Sequence, residues 1–256
     1  LESTRIAGHT LRVVGHYKND RHEERDGNDA LGSDFEDTLR SLSLEDIVAL
    51  GARTQLALGL AYHELEADKV WKADGGPAYT VPGKQDTLDP QIGLFHDLTS
   101  SARLYATVAR KTRLPSLKDR YSQRLGNYVE NAGLGAEQAT NYEIGYQGTP
   151  WSGASAEAAL FWNDVEDKIQ SVNLSGAANC NSTTPCQMQN VGEVRVKGVE
   201  LGLKTRLGTQ WAVGGNATWM DIENRSDPNV KLIGVPETKL TLHALWNPVE
   251  ALDLIA

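Results

Sequence analysis

The feature that most constrains the fold of this chain is an alternation of apolar with small or polar residues, repeated along most of its 256 residues. In one segment Leu56, Leu58, Leu60 and Tyr62 occupy every second position. Successive side chains of a β-strand point to opposite faces, so this period predicts strands with one apolar face. The same alternation occurs in the segments 11–17, 103–108, 142–147, 156–163, 199–204, 211–219 and 240–246. The sequence therefore predicts an all-β protein of about 11–12 strands.

The connections between these segments alternate in length. Short ones fall near 50–51, 98–101, 148–153, 207–209 and 247–251, and long ones near 18–35, 67–87, 113–137, 173–187 and 224–235. This order is typical of an antiparallel up-and-down transmembrane β-barrel with one short-turn end and one loop-rich end. A β-sandwich gives no reason for such alternation. Because outer-membrane transporters have about 22 strands, we expect residues 1–256 to form one partial barrel domain.

Composition excludes some classes and leaves others open. No run of about 18 apolar residues occurs, which excludes a spanning helix. The mean hydropathy of −0.42 does not separate a soluble β protein from a barrel, because alternation hides the lipid-facing side chains. A net charge of −9 without a basic run argues against nucleic acid as a partner. The chain begins and ends inside strand-like patterns, so we expect it to be a fragment of a longer protein.

Three tryptophans support a membrane location. Trp151, Trp211 and Trp246 each lie beside a predicted short turn. Aromatic side chains concentrate where lipid meets the headgroups, so a set at one end predicts a girdle at the periplasmic interface. The alternative is three unrelated core tryptophans. The girdle reading makes outer-membrane lipid a partner of the chain.

An ordered set of motifs carries a family resemblance. Its pieces are Arg113/Pro115/Leu117, Asn131/Leu134/Glu137, the segment 141–146 (NYEIGY), the segment 161–170 (FWNDVEDKIQ), the segments 190–192 (NVG) and 196–201 (VKGVEL), and Pro236 with the segment 246–248 (WNP). In this order they resemble the C-terminal half of TonB-dependent outer-membrane receptors. One departure is Gly135-Ala136, where the family usually has Lys-Pro.

The resemblance implies a transport function. Such receptors hold an N-terminal plug inside the barrel and are energised by the inner-membrane TonB complex, and this chain contains neither a plug nor a TonB box. The implied substrate is a scarce metal chelate, foremost a ferric siderophore, with cobalamin, haem, copper or an oligosaccharide also within the family. The alternatives are a passive porin-like channel and a soluble β-rich binding module or adhesin. A hydrolase lacks support, because no G-x-S-x-G, H-E-x-x-H or P-loop motif occurs, so we predict no catalytic residues and no enzyme activity.

One long loop supplies the candidate ligand contacts. Cationic and aromatic side chains suit an anionic, aromatic ferric siderophore, by charge pairing and stacking. The alternative is a packed loop whose arginines meet acidic neighbours such as Asp119 and Glu130. The predicted ligand-binding residues are Arg113, Arg120, Tyr121, Arg124 and Tyr128.

Cysteine and metal-ligand patterns give one further prediction. Cys180 and Cys186 lie within one long loop, and in a non-cytosolic barrel this spacing favours a disulfide over two metal-binding thiolates. His22 beside Glu23 and Glu24 fits a solvated loop better than a metal site. The acidic stretch 26–37 lacks EF-hand spacing. We therefore predict neither a bound metal nor a cofactor.

Overall fold

The computed structural model describes residues 2–73, 83–124, 126–226, 236–249 and 252–255. The elements in chain order are β1 (Glu2–Ile6), β2 (His9–Arg25), β3 (Leu31–Ala49), β4 (Thr54–Lys72), β5 (Gln85–Thr99), β6 (Ala102–Arg113), α1 (Leu117–Tyr121), β7 (Tyr128–Val129), β8 (Glu137–Gly148), β9 (Ala154–Glu166), β10 (Ile169–Asn173), β11 (Cys186–Asn190), β12 (Val194–Leu207), β13 (Trp211–Asn224), β14 (Thr238–Val249) and β15 (Leu252–Ile255). Twelve of the strands form one sheet, in the order β1-β2-β3-β4-β5-β6-β8-β9-β12-β13-β14-β15. This confirms the predicted partial antiparallel barrel wall.

The cross-strand register collects the apolar residues on one face of the sheet. Leu58 lies opposite Ile92, Ile92 opposite Val108, Val108 opposite Tyr142, and Tyr142 opposite Trp162. All five side chains are exposed in this chain. Soluble proteins rarely expose apolar patches beyond a few hundred Å². A continuous apolar band across the sheet therefore requires an apolar surrounding, as lipid provides.

The opposite, polar face combines glycines with aromatic rings. A Cβ atom at Gly145 would overlap the ring of Tyr105, which lies on the neighbouring strand. The same ring donates a hydrogen bond from its hydroxyl to Glu143 Oε1 at 2.7 Å. Glycine is needed here because the tyrosine ring occupies the space of a side chain. This pairing explains why small residues recur on the polar face of the predicted strands.

The three tryptophans gather at the short-turn end. Trp211 lies opposite Trp246, and the two rings stack with centroids 5.3 Å apart. Trp151, in the turn between β8 and β9, donates from Nε1 to Thr205 Oγ1 at 3.0 Å. This placement is the one expected for a girdle on one side of the membrane. Among the described residues, no helix is long and apolar enough to cross a membrane.

Strands β2, β3 and β4 correct two of the predicted long connections. They contain 17, 19 and 19 residues, whereas a membrane-crossing strand needs about 9–11. The residues 19–25, 31–38 and 66–72 therefore extend past the apolar band as a paired sheet, here called the flap. The prediction of long connections at 18–35 and 67–87 was wrong for the residues of the flap. Both faces of the flap carry polar side chains, so the apolar alternation that identifies the other strands is missing there.

Candidate functional site

The segment between β6 and β8, residues 114–136, is here called the β6–β8 loop, and it holds the predicted ligand contacts. It opens with the short helix α1, whose N-cap is Ser116. The Ser116 hydroxyl accepts from the Asp119 backbone N–H, and the Asp119 carboxylate accepts from the Ser116 N–H. This capping box satisfies backbone donors at the start of the helix. The polar sequence of the loop therefore folds into a defined structure.

The β6–β8 loop packs on the face of the flap that continues the polar face of the sheet. Phe35 of β3 contacts Leu117 and Tyr121 of α1, and these three form a buried cluster. The rings of Phe35 and Tyr121 stack with centroids 4.9 Å apart. Val70 of β4 and Ala132 of the loop pack against the cluster. The loop is thus fixed to the flap by an apolar contact that no single-strand pattern could predict.

Two buried ion pairs lie beside this contact. Arg120 of α1 bonds Asp37 of β3, and Lys72 of β4 bonds Glu130 of the loop. The side chains of all four residues are nearly inaccessible to solvent. Burial lowers the pKa of the Arg120 guanidinium and raises the pKa of the neighbouring Tyr121 phenol. Arginine nevertheless stays protonated in proteins, so Arg120 requires the negative charge of Asp37.

The structure separates the five predicted ligand residues into two groups. Arg120 and Tyr121 expose only 2% and 0% of their surface, so neither offers a contact to a ligand while the loop is docked. Arg113 is exposed but is held by Asp119 at 3.0 Å and by Glu137 at 3.5 Å. The packed-loop alternative therefore accounts for Arg120 and Tyr121. Of the two acidic neighbours that this alternative named, Asp119 pairs with Arg113, whereas Glu130 pairs with Lys72 of the flap.

Arg124 and Tyr128 form the other group. The Arg124 guanidinium lies over the Tyr128 ring, 4.1 Å from its centroid. The backbone of Arg124 has a φ of 46°, in the left-handed region that non-glycine residues rarely adopt. The Tyr128 hydroxyl lies 2.9 Å from Ser171 Oγ of β10. This pair is half-buried and carries both a positive charge and an aromatic ring.

A second, three-stranded sheet supports this pair from the side. Its order is β10-β11-β7, and Tyr128 lies in β7. Cys186, the first residue of β11, forms a disulfide with Cys180, which leaves neither sulfur free as a thiolate ligand. Asn131 of the β6–β8 loop donates to the carbonyl of Met188 at 2.9 Å. The flap, the loop and the small sheet therefore form one connected unit at the loop-rich end.

The acidic residues of the flap are engaged in pairs and turns. Asp34 accepts from Arg21 Nε at 2.9 Å and also bonds Lys69, and these cations hold the pKa of Asp34 well below its usual range. The Asp26 carboxylate accepts from two backbone N–H groups of its own turn. In the part of the chain that the structure describes, no group of three or more His, Cys, Asp or Glu side chains is arranged to hold a metal ion.

Three residues of the flap receive the loop. Phe35, Asp37 and Lys72 are distant from the loop in sequence and were not predicted as part of the site. A usable signal is Phe35 itself, a large apolar side chain on the same face of β3 as Ser41 and Ser43. An apolar side chain on the polar face needs a partner from elsewhere, and here the partner is α1.

Comparison with known proteins identifies the family. The sequence matches the family model described as "TonB dependent receptor-like, beta-barrel" over residues 3–253. It is similar to the probable TonB-dependent siderophore receptor PiuA of Acinetobacter baumannii, 25% identical over 198 residues, covering 74% of this chain and 25% of the relative. It is also similar to the ferric enterobactin receptor of Pseudomonas aeruginosa, 28% identical over 194 residues, covering 67% of this chain and 26% of the relative.

Solved structures share the fold. The copper transporter OprC superposes with a TM-score of 0.71 at 20% identity, covering 95% of this chain and 39% of that one. The siderophore receptor PirA from Pseudomonas aeruginosa superposes with a TM-score of 0.65 at 20% identity, covering 96% of this chain and 41% of that one. The chain spans about a quarter of the length of the curated relatives that it matches. The chain belongs to the TonB-dependent receptor family and forms part of its β-barrel in the bacterial outer membrane.

Proposed function

We propose that the protein containing this chain imports a scarce metal chelate across the outer membrane, with energy from the TonB complex. A ferric siderophore is the first choice of substrate. The observation that carries this proposal is the family match over residues 3–253, together with relatives named as siderophore and ferric enterobactin receptors. The likeness to a copper transporter rests on fold and does not favour copper. Cobalamin and haem stay alternatives within the family.

The geometry fits a receptor wall. In a barrel the apolar face contacts lipid and the polar face lines the interior. The β6–β8 loop packs on the flap face that continues the polar face of the sheet, and we infer from this that the loop lies over the interior at the loop-rich, extracellular end. We take residues 1–256 as one partial barrel domain. Within it, Arg113, Arg124 and Tyr128 are the proposed ligand contacts, and Arg120 and Tyr121 are proposed only for a conformation with the loop undocked.

The protein is proposed to bind and translocate its substrate without a chemical conversion. In the proposed mechanism the substrate binds at the extracellular loops, and energy-coupled movement of the plug in the barrel interior then lets it pass. This chain would contribute the wall and the extracellular loops to that process. The plug and the segment that contacts the TonB complex would come from elsewhere in the longer protein.

Uptake of radioactive iron tests the proposal. A bacterial strain that lacks the full-length gene is compared with the complemented strain under iron limitation, each with and without a functional TonB complex. A panel of ferric siderophores and haem is supplied with labelled iron, and cobalamin is supplied separately with labelled cobalt. We expect at least one chelate whose uptake needs both the gene and the TonB complex. Uptake that needs the gene but persists without the TonB complex would instead indicate a passive porin.

A further inference from the structure

A groove lies on the apolar, lipid-facing side of the sheet. Its volume is about 610 Å³. Leu94, Ala106, Ile144 and Leu160 lie in register across the strands β5, β6, β8 and β9 and form part of its lining. The surface is lowest at Ala106, because its side chain is a single methyl group between two branched side chains. An apolar depression of this kind is suited to hold an acyl chain of a lipid.

Arg110 of β6 lies beyond one end of the groove. It is two positions past Val108, which lines the groove, and the unbroken pairing of β6 with β8 keeps both side chains on the lipid-facing side. β6 begins at the short-turn end, and Arg110 is nine positions along it, counting from 102 to 110. A strand needs about 9–11 residues to cross a membrane. Arg110 therefore lies where the loop-rich end of the wall meets the lipid headgroups.

The positive charge of Arg110 is not matched by a carboxylate. Two other lipid-facing cations near this level are paired, since Arg195 lies 2.6 Å from Asp164 and Lys197 lies 3.0 Å from Asp221. Arg110 is exposed, and it has no ion-pair partner among the residues that the structure describes. An unmatched cation at the level of the headgroups is complementary to an anionic headgroup.

A second polar group without a partner lies beside Arg110. Tyr142 of β8 is opposite Val108, which makes it a diagonal neighbour of Arg110, a separation that long and aromatic side chains bridge. Tyr142 also lines the groove and is 45% exposed, and within the described ranges its hydroxyl makes no hydrogen bond. A guanidinium and a phenol hydroxyl both donate hydrogen bonds, and a phosphate accepts several.

We propose that this site binds one molecule of the phosphorylated glycolipid that forms the outer leaflet of the outer membrane. The Arg110 guanidinium and the Tyr142 hydroxyl donate to one phosphate, and one acyl chain lies in the groove over Ala106. The groove leads from Arg110 towards the membrane centre, so headgroup and acyl-chain contacts follow in the order of a lipid molecule. The inference rests on the place of the wall in the outer membrane and is independent of the transported substrate.

Native mass spectrometry of the purified full-length receptor in detergent tests this site. The probe is diphosphorylated lipid A, and phosphatidylglycerol represents an anionic phospholipid. The charge variants are Arg110→Gln and Arg110→Lys. Their matched control is Lys111→Gln, since Lys111 is the next residue of β6, is exposed, and lies on the opposite face of the strand.

A substitution that fills the groove separates acyl-chain binding from charge. Ala106→Phe adds a ring at the lowest point of the groove and leaves every charge in place. Its control is Ala158→Phe, since Ala158 lies on the lipid-facing side of β9 and is not among the residues lining the groove.

We expect lipid A to bind more tightly than phosphatidylglycerol. Arg110→Gln should weaken lipid A binding about tenfold or more, as loss of a charge-assisted hydrogen bond does. Arg110→Lys should recover part of the affinity, and Ala106→Phe should weaken it about fivefold through lost apolar contact. Both controls should change it less than about twofold. Equal lipid A binding by Arg110→Gln and the unaltered receptor would overturn the site, and equal binding of the two lipids would overturn the glycolipid as its occupant.

Discussion

The docking of the β6–β8 loop should depend on the buried ion pair between Arg120 and Asp37. The substitution Asp37→Asn removes the carboxylate charge and leaves the Arg120 guanidinium, which is 2% exposed, without a counter-charge. Removing one partner of a buried pair costs about 3–5 kcal/mol. That energy corresponds to an increase of about 10² to 10³-fold or more in the fraction of molecules with the loop undocked.

Hydrogen exchange of loop amides in the full-length receptor measures this opening. The Asn131 N–H donates to the Arg120 carbonyl at 2.8 Å, and the Tyr128 N–H donates to the Gln123 carbonyl at 2.9 Å. Both bonds lie within the loop, and we expect them to open on detachment because a short helix that has lost its buried contact with Phe35 is not stable alone. The paired amides of β8 and β9 serve as an internal reference for the intact barrel.

Two further variants separate charge from packing. Asp20 lies opposite Asp37 on β2, its side chain is 51% exposed, and its partner is the exposed Lys18. Asp20→Asn should therefore change loop exchange by less than about fivefold, since surface pairs contribute at most about 1 kcal/mol. The double variant Asp37→Leu with Arg120→Met should recover most of the protection, because no unpaired charge is left buried. Exchange rates of the loop amides in Asp37→Asn that lie within threefold of those in the unaltered protein would refute the dependence of docking on the ion pair.

Two other predictions concern the barrel wall and the flap. Gly145→Ala should destabilise the full-length receptor by about 1–3 kcal/mol in thermal unfolding, because the new Cβ overlaps the Tyr105 ring. Gly15→Ala meets no atom within 4 Å and should be nearly neutral. Equal effects of the two substitutions would contradict the need for glycine beside the Tyr105 ring. The pKa of Asp34 is held low by neighbouring cations, foremost Arg21. The ionised Asp34 therefore contributes fully to flap stability above about pH 4, the pKa of an aspartate in an unfolded chain. This contribution is lost only as the pH falls below that value. Hydrogen exchange of flap amides, corrected for the intrinsic rate, should therefore reveal the same flap stability at pH 7 and pH 5. A loss of flap stability between pH 7 and pH 5 would contradict the lowered pKa of Asp34.

Much of the fold could be predicted from the period of the sequence. Leu58 and Val108 were placed on apolar faces by alternation alone, and the register puts them in one row. The flap escaped prediction because polar side chains occupy both of its faces, one of them beneath the β6–β8 loop, so the apolar alternation does not continue beyond Tyr17. The capping box of α1 was visible as Ser116 and Asp119 at the required spacing, although a helix was not predicted from it.

The candidate site could be predicted only in part. Arginine beside tyrosine suits both a ligand contact and a packed loop, and burial decides between the two. Nothing local in the sequence shows that Arg120 meets Asp37, which lies 83 positions earlier in the chain. The distinction between Arg120 and Arg124 is therefore a tertiary property, because it depends on which of the two side chains a distant strand covers.

The most direct test of the account is the environment of alternate residues along one strand. Spin labels at Leu58, Gly59, Leu60 and Ala61 of the full-length receptor in lipid bilayers would be probed with oxygen, which concentrates in lipid, and with a water-soluble nickel complex. The account predicts that oxygen dominates at positions 58 and 60 and that the labels at 59 and 61 are shielded from lipid. A lack of alternation, or preferential access of the nickel complex to positions 58 and 60, would contradict a transmembrane barrel wall.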